Sequence, residues 1–398
     1  MKQGILIIGL ALAAGASVFL AGDAAVPGKS AAVSFRSVVT ANGPVLYPYS
    51  IAAGDLNGDS FPDMAVVSEE NDQGLAHALG KGDGRFGRWS FKGGVGDAPG
   101  FVLLADVDGD GNLDAVTTDI TQSFVTVAFG DGRGHLSRGI QPDTGTDCTT
   151  VQLAVADLNG DGVPDIVGTC DTGPSNPGKI FVLLGEGERK FKRVVHFGSG
   201  GHLPIGIAVG DLNHDGIPDL VVANWGQDAG PYGNLAVLLG RGDGTFGTPT
   251  SYHAGIHPTE LTLVDLNGDG DLDVVVSSNL GVYVFLGKGD GTLSSPEVYH
   301  PGDYPSWVLS ADFNGDGIPD LAVANNTNPN PCHVTILLGK GDGTFQPPVA
   351  FRVGDGPTGL ITADFNHDGK PDLASLTGPS GITVLLNTTP FPTPSRGR

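Results

Sequence analysis

The chain has 398 residues and a formal net charge of −23, with 44 acidic against 21 basic residues. This balance argues against nucleic acid as a partner, because its sign is wrong for phosphate and no basic cluster is present. The 64 glycines, and the lack of a sustained 3.6-residue apolar period after the first residues, favour strands and turns over helices.

The N-terminus is typical of an export signal. Lys2 precedes an apolar stretch from Ile5 to Gly22, and small residues follow that stretch. We predict a signal peptide over residues 1–24 and a linker over 25–32, and hence a secreted, cell-surface or periplasmic protein. The apolar stretch is also long enough for an uncleaved membrane anchor, which stays open as the alternative.

One acidic loop of nine residues recurs seven times in the rest of the chain. Its pattern is D-x-[N/D]-x-D-[G/S]-x-x-D, and successive copies lie roughly 50 residues apart, which is typical of a propeller or repeat array. The copies begin at Asp55, Asp106, Asp157, Asp211, Asp265, Asp312 and Asp364.

Short apolar segments surround each loop. One segment ends at the loop (Phe101–Ala105), a β-branched one follows it (Leu220–Ala223), and a third ends in glycine (Val334–Gly339). A turn of the type Gly-Lys-Gly-Asp-Gly then opens a fourth strand, at 80–86, 130–136, 185–191, 240–246, 287–293 and 339–345. Four antiparallel strands in each of seven units predict an all-β fold, a seven-bladed β-propeller.

The last unit lacks this turn, and the chain ends in a Thr/Pro-rich tail over residues 388–398. Its missing strand is predicted at the other end of the chain, because Phe35 precedes Asp55 by 20 residues, just as Phe191 precedes Asp211. We therefore expect Phe35–Val39 to pair with Ile382–Leu386 and close the ring, so that the propeller spans residues 33–387.

The loops carry oxygen ligands on alternate residues, a pattern that suits Ca²⁺ better than Mg²⁺ or Zn²⁺. Positions 1, 3, 5 and 9 would supply side-chain oxygens and position 7 a backbone carbonyl, whereas EF-hands need a Glu at position 12 and flanking helices. We predict up to seven Ca²⁺ ions, bound by Asp55, Asn57, Asp59, Phe61 and Asp63; Asp106, Asp108, Asp110, Asn112 and Asp114; Asp157, Asn159, Asp161, Val163 and Asp165; Asp211, Asn213, Asp215, Ile217 and Asp219; Asp265, Asn267, Asp269, Asp271 and Asp273; Asp312, Asn314, Asp316, Ile318 and Asp320; and Asp364, Asn366, Asp368, Lys370 and Asp372.

Two details qualify the metal loops. Ser60 replaces the usual glycine in the first copy, which makes this site the weakest prediction. His214 and His367 stand at position 4 of their loops, where we expect them to face solvent rather than to bind metal.

The three cysteines are too few for a disulfide framework. Cys148 precedes the third loop and Cys170 follows the strand after it, so a hairpin centred on that loop would bring them together. A bridge and two separately buried thiols are both compatible with this spacing. Cys332 has no obvious mate.

The motif Asp-Leu/Phe-Asn-Gly/His-Asp-Gly-x-Pro-Asp resembles the FG-GAP repeat family, which includes integrin alpha-chain head propellers and bacterial VCBS-type repeat proteins. The resemblance covers about residues 33–387. It implies a calcium-binding seven-bladed propeller with its metal loops on one face and its ligands on the opposite face or rim. The adhesion-like tripeptide Arg241-Gly242-Asp243 occupies a repeated hairpin turn, so we expect no adhesive role for it.

We expect a monomeric, extracellular protein-interaction or adhesion/scaffold module with an unidentified protein or glycan partner, and no membrane span unless the signal is retained. Candidate ligand residues are Trp225, Tyr232 and Tyr304, which lie in connections between strands; packing against neighbouring blades is the alternative for them. A carbohydrate-binding lectin is the second candidate. A polysaccharide lyase or hydrolase is disfavoured, because the repeats leave no room for a catalytic domain and no catalytic motif is present.

Overall fold

The computed structural model describes residues 33–40, 48–68, 74–92, 95–137, 139–173, 176–226, 232–326, 333–354, 356–378 and 381–391. These residues form strands and turns without any helix, and this part of the chain therefore holds no helix that could cross a membrane. The predicted signal peptide and linker, Cys332 and residues 392–398 lie outside the described residues.

The strands form blades, which we number 1 to 7 in the order of their acidic loops. The first strand, β1 (Phe35–Thr40), belongs to blade 7. Blade 1 contains β2 (Pro48–Gly54), β3 (Asp63–Ser68), β4 (Leu75–Ala78) and β5 (Ser90–Lys92). Blade 2 contains β6 (Pro99–Ala105), β7 (Asp114–Asp119) and β8 (Val125–Ala128). Blade 3 contains β9 (Thr149–Ala156), β10 (Asp165–Asp171), β11 (Lys179–Leu183), the hairpin β12 (Gly185–Gly187) and β13 (Lys190–Phe191), and β14 (Val195–Gly198).

The remaining strands belong to blades 4 to 7. Blade 4 contains β15 (Pro204–Gly210), β16 (Asp219–Asn224), β17 (Asn234–Leu238) and β18 (Thr250–His253). Blade 5 contains β19 (Leu261–Val264), β20 (Asp273–Ser278), β21 (Gly281–Phe285) and β22 (Glu297–Tyr299). Blade 6 contains β23 (Pro305–Ala311), β24 (Asp320–Asn325), β25 (His333–Leu337) and β26 (Val349–Arg352). Blade 7 contains β27 (Leu360–Ala363), β28 (Asp372–Thr377) and β29 (Gly381–Asn387), together with β1.

Each blade is an antiparallel sheet whose strands pair in chain order, except that β11 pairs with β14 in blade 3 and β29 with β1 in blade 7, and the first strands of successive blades contact one another around a ring. The predicted seven-bladed β-propeller is confirmed. Blade 2 departs from the pattern, because its fourth strand is reduced to two isolated bridges, Val127 with Ile140 and Phe124 with Asp143.

The hydrophobic core lies between the blades. The second strands are buried along their whole length, as in Asp219–Asn224, except at Asp171 in β10, because a neighbouring blade covers each of their faces. Seven clusters of buried apolar side chains each join two adjacent blades, including one that joins blade 7 to blade 1. No blade therefore holds a complete core by itself, and each depends on both neighbours.

Strand β1 closes the ring, as the sequence predicts. It pairs antiparallel with β29, from Phe35 opposite Asn387 to Thr40 opposite Ile382. The ring of Phe35 meets the rings of Phe313 and Phe351 edge-on, at centroid distances of 5.9 and 5.0 Å. The last blade thus takes three strands from the C-terminal end of the chain and one from the N-terminal end.

A disulfide bridges Cys148 and Cys170, whose Cα atoms lie 4.7 Å apart. Strands β9 and β10 pair on either side of the third acidic loop, and the two cysteines lie near the ends of this hairpin that are far from the loop. The bridged alternative is therefore the correct one for these two residues.

We expect Val38→Asp to destabilise the protein and Ser37→Asp to leave its stability almost unchanged. Val38 packs on the cluster between blades 7 and 1, whereas Ser37 on the same strand is exposed. A carboxylate forced into that contact should lower the free energy of unfolding by about 2 kcal/mol or more, measurable by urea unfolding. Equal effects of the two substitutions would contradict the closure. A variant that lacks residues 33–40 and yet stays monomeric with an unchanged melting temperature would contradict it as well.

Candidate metal loops and the opposite face

The acidic loops connect the first and second strand of each blade. Asp211 at position 1 directly follows β15, for example, and Asp219 at position 9 begins β16. Because the first strands occupy equivalent places around the ring, all seven loops lie on one face of the propeller. The hairpins between second and third strands lie on the opposite face.

Inside a loop, the carboxylates and amides bind backbone N–H groups and hold the turn in shape. In the sixth loop, the N–H groups of Gly315 and Gly317 donate to the Asp312 carboxylate at 2.7 and 2.8 Å, and Asp316 N–H donates to Asn314 Oδ1 at 2.8 Å. The two glycines have φ values of 75° and 81°. In the first loop, Ser60 has a φ of 70° and still donates to Asp55 at 2.8 Å, so the loop keeps its shape at the cost of backbone strain.

The aspartate at position 9 has a structural role that the sequence analysis did not assign. Asp320 is fully buried; its Oδ2 accepts the N–H of Phe313 at 2.9 Å, and its Oδ1 accepts the N–H of Gly339 at 2.8 Å. It therefore links the start of the loop to the turn at the end of the third strand. The same pair of contacts is made by Asp63, Asp114, Asp165, Asp219, Asp273 and, with Asn387 in place of the glycine, Asp372.

Burial disfavours the ionised form of these aspartates. Burial raises the pKa of Asp320 to about 8 and those of Asp114 and Asp372 to about 7. Repulsion from the carboxylates at positions 1 and 5 raises the Asp320 pKa further. Burial raises the pKa of the other members of the set to about 6: Asp63, Asp165, Asp219 and Asp273.

The donor set fits a hard divalent cation. In the second loop, oxygen atoms of Asp106, Asp108 and Asp114 all lie within 4.8 Å of one another, a concentration of negative charge that a positive group beside the loop would offset. Carboxylate and amide oxygens are the ligands that Ca²⁺ prefers, and a cation would offset the repulsion that raises the pKa values. Basic side chains contact some of these loop residues, and the basic residue differs from loop to loop.

Arg189 of blade 3 reaches the second loop. Its Nε donates to Asp108 Oδ2 at 2.7 Å, its Nη2 lies 3.5 Å from Asp110 Oδ2, and its guanidinium lies 4.2 Å from the centroid of the Phe129 ring. Sequence reasoning missed this residue, although the departure of its hairpin from the Gly-Lys-Gly-Asp-Gly pattern was visible.

The two loop histidines differ from the expectation in part. His214 is 54% exposed, but its Nε2 lies 2.7 Å from Asp271 Oδ1 in the next blade, and this contact raises its pKa. His367 is exposed and meets the ring of Phe61 edge-on. In the seventh loop, Lys370 Nζ lies 3.8 Å from Asp368 Oδ2.

The C-terminal segment covers the sixth loop. Asn387 Nδ2 donates to the Phe313 carbonyl at 2.9 Å, Thr389 is fully buried, and the ring of Phe391 packs on Gly315. Asn314 is therefore buried, unlike the other position-3 residues. The first residues of the predicted tail thus belong to the folded ring, which the Thr/Pro-rich composition did not indicate.

On the inner strands, one polar network links three blades. Gln152 Nε2 donates to Glu260 Oε2 at 2.8 Å, and the N–H of Ile207 donates to Gln152 Oε1 at 2.7 Å. Burial raises the pKa of Glu260 to about 8. The network joins blades 3, 4 and 5. Gln152 and Glu260 are 108 residues apart in the sequence, so no local pattern could have predicted their contact.

The predicted ligand residues lie on the face opposite the loops. Trp225 is half-buried against His257 of blade 5, with ring centroids 4.7 Å apart, so it packs on a neighbouring blade. Tyr232 and Tyr304 are 63% and 59% exposed. Tyr49, at the start of β2, is also exposed on this face and was not among the predicted residues.

Fold and loops together define a seven-bladed β-propeller with an acidic turn at the same place in every blade. The sequence profile of FG-GAP-like repeats matches residues 55–117, 106–168, 228–276, 265–323 and 312–375, and that of FG-GAP repeats matches residues 204–238. These segments cover more than half of the chain, which belongs to the FG-GAP repeat family.

Two solved structures are similar over most of their length. One is an Agrocybe aegerita lectin described as recognising non-reducing terminal N-acetylglucosamine, at 20% identity and a TM-score of 0.53, covering 89% of this chain and 86% of that one. The other is a chain from the structure of BBS1N in complex with ARL6DN, at 15% identity and a TM-score of 0.60, covering 91% and 97%. At these identities the likeness shows the fold alone. No curated protein matches the chain.

We expect Asp320→Ala to destabilise the protein in a chelator far more than Asp316→Ala does. Loss of the Asp320 carboxylate leaves the buried N–H groups of Phe313 and Gly339 without acceptors, at about 1–3 kcal/mol each. Asp316 is only half-buried, and its loss removes charge repulsion. Urea unfolding in EDTA measures the difference. Similar losses for both variants would show that Asp320 acts through metal alone.

Proposed function

We propose that the protein is an extracellular interaction propeller stabilised by Ca²⁺ in its acidic loops. The main support is the buried aspartate at position 9, which in every blade faces further carboxylates and has a raised pKa. Seven equivalent groups of this kind would be costly in a protein that never neutralised them.

The residues at positions 1, 3, 5 and 9 would hold the ion, with the backbone carbonyl of position 7. A bound cation supplies the positive charge that these carboxylates lack, and the loop residues orient the oxygens through their hydrogen bonds to backbone N–H groups. An extracellular setting supports this proposal, because Ca²⁺ is plentiful there and even weak sites fill. The Cys148–Cys170 bridge and the signal-like N-terminus also favour an oxidising compartment outside the cytoplasm.

Calcium titration should find bound ions at the acidic loops, and chelation should lower the melting temperature sharply. Binding to the native state alone stabilises it by RT ln(1 + [L]/Kd), about 2.7 kcal/mol for one site at a hundredfold excess over Kd. Asp316→Ala should lose one ion, whereas Arg241→Ala, in an exposed hairpin turn, should lose none. Two or fewer ions per wild-type chain would contradict the proposal.

The same titration should depend on pH. The folded-state pKa values of the position-9 aspartates lie above their ordinary value of 3.8, so the metal-free protein is stabilised by protonation and loses that stability as the pH rises through about 6 to 8. Protons and Ca²⁺ then compete for the same oxygens. The rise in melting temperature caused by calcium should therefore be larger at pH 8 than at pH 5.

The opposite face is the proposed interaction surface. Tyr49, Tyr232 and Tyr304 present large exposed rings there, and aromatic side chains are common anchors for proteins and sugars. We place a protein partner first and a glycan second. Similarity to a lectin fold keeps the second candidate open, and the prediction that the protein is not an enzyme stays a prediction.

A photo-crosslinking residue at Tyr304 should form adducts with an extracellular partner protein, whereas the same residue at Phe91 should not. Phe91 is a matched control, because it is 53% exposed on an outer strand of blade 1. A glycan array with and without chelator separates the two candidates. Array binding that Tyr232→Ala and Tyr304→Ala abolish, and that Phe91→Ala retains, would establish a lectin and contradict the protein-partner proposal.

A further inference from the structure

We propose that the second acidic loop does not bind Ca²⁺. The positively charged guanidinium of Arg189 binds its carboxylates instead and stabilises the loop. The inference rests on the proposed calcium binding of the other loops. It adds that blades 2 and 3 are joined by a link that needs no metal.

The contacts of Arg189 engage the ligand residues directly. Asp108 and Asp110 stand at positions 3 and 5 of the loop, and the guanidinium donates to both, at 2.7 Å from Nε and 3.5 Å from Nη2. The Asp108 side chain is only 4% exposed, whereas the Arg189 side chain is 47% exposed, so the ion pair lies at the edge of the protein with its carboxylate side buried. Solvent screens such a half-buried pair less than a fully exposed one.

The position of Arg189 follows from the repeat. In five other blades a glycine occupies the equivalent place in the hairpin: Gly84, Gly134, Gly244, Gly291 and Gly343. The N–H of Gly134, for example, donates to the Leu56 carbonyl in the acidic loop of the preceding blade. Any side chain at this place in blade 3 therefore starts beside the second loop.

The backbone at this place favours glycine, yet blade 3 has none. Arg189 has a φ of 64° and Glu188 a φ of 51°. A side chain at Gly134 would collide with Leu79 of the preceding blade, and in blade 3 the equivalent of Leu79 is Phe129, on whose ring the Arg189 guanidinium lies. An arginine kept in a strained conformation and supported by an aromatic ring indicates a role for its charge.

The second loop has changed in a matching way. Its position 3 is Asp108, whereas the other six loops have asparagine there. In four loops, that asparagine donates to the position-5 aspartate, as Asn57 Nδ2 does to Asp59 Oδ2 at 2.9 Å. Asp108 cannot donate. Asn112 Nδ2 donates to Asp110 Oδ1 at 2.9 Å instead, and Arg189 Nη2 lies 3.5 Å from Oδ2 of the same carboxylate. The additional negative charge of Asp108 and the additional positive charge of Arg189 thus lie at the same place in the ring.

A calcium ion would meet this guanidinium at close range. Both cations would bind the carboxylates of Asp108 and Asp110, and an arginine does not lose its proton in a protein. Their repulsion lowers the affinity of the second loop for Ca²⁺ below that of loops without such a base. The other described contacts from a base to a loop are weaker candidates: Lys370 lies 3.8 Å from one carboxylate, and His214 contacts Asp271 at position 7, where the side chain is not a ligand.

The test is the number of ions bound by Arg189→Gly, measured by native mass spectrometry and by elemental analysis after equilibrium dialysis against Ca²⁺. Glycine suits the positive φ and is the residue of five other hairpins, so the variant should fold. We expect one more ion per chain than in the wild type. Arg189→Lys, which keeps the charge, and Lys190→Ala, which removes a neighbouring charge paired with Glu188, should bind the wild-type number.

A second measurement does not depend on the ion count. In EDTA, hydrogen exchange of the amides of residues 106–114 should be slow in the wild type and fast in Arg189→Gly, and added Ca²⁺ should restore protection in the variant. A wild-type chain that binds one ion in every loop, or an unchanged count in Arg189→Gly, would overturn the inference alone. A chain that binds no ion in any variant would overturn the calcium proposal and this inference with it.

Discussion

The fold depends on one repeated contact, in which a fully buried aspartate joins the acidic loop to the turn after the third strand. Its two carboxylate oxygens accept one N–H group from each, as in the bonds of Asp320 to Phe313 and Gly339. This contact holds the end of the first strand beside the end of the third strand, at the same face of the blade. It also places a carboxylate where burial opposes its charge, which creates the demand for a cation nearby.

The groups that contact the acidic loops differ from blade to blade. Arg189 contacts the second loop, while the C-terminal segment with Phe391 covers the sixth, where the buried aspartate has the highest pKa of the set, about 8. The loops are therefore equivalent in backbone but not in electrostatics. Because each cluster of apolar side chains also spans two blades, a change at one loop acts on the stability of both adjoining blades.

The two ends of the chain meet at a single place. Strand β1 completes blade 7, the N–H of Thr388 donates to the Ser34 carbonyl at 2.8 Å, and Asn387 binds the backbone of the sixth loop. Without β1, strand β29 would be the uncovered outer edge of blade 7, and the closure covers that edge. The C-terminal segment that bonds to Ser34 also covers the sixth loop, where Asn314 is buried, so ring closure and the environment of this loop are coupled.

The sequence by itself determined the blade number, the four-stranded unit and the closing strand, and it suggested the metal ligands, because the acidic loops and the strand periodicity are local and recur in seven units and the hairpin turn in six. The spacing of Cys148 and Cys170 limited their state to two possibilities, and only the paired strands decided between them. The second role of Asp320, the reach of Arg189 into the preceding blade and the Gln152–Glu260 contact were decided by tertiary structure. Each joins residues whose proximity arises only when separate blades pack side by side, and no local pattern encodes which side chains then face each other.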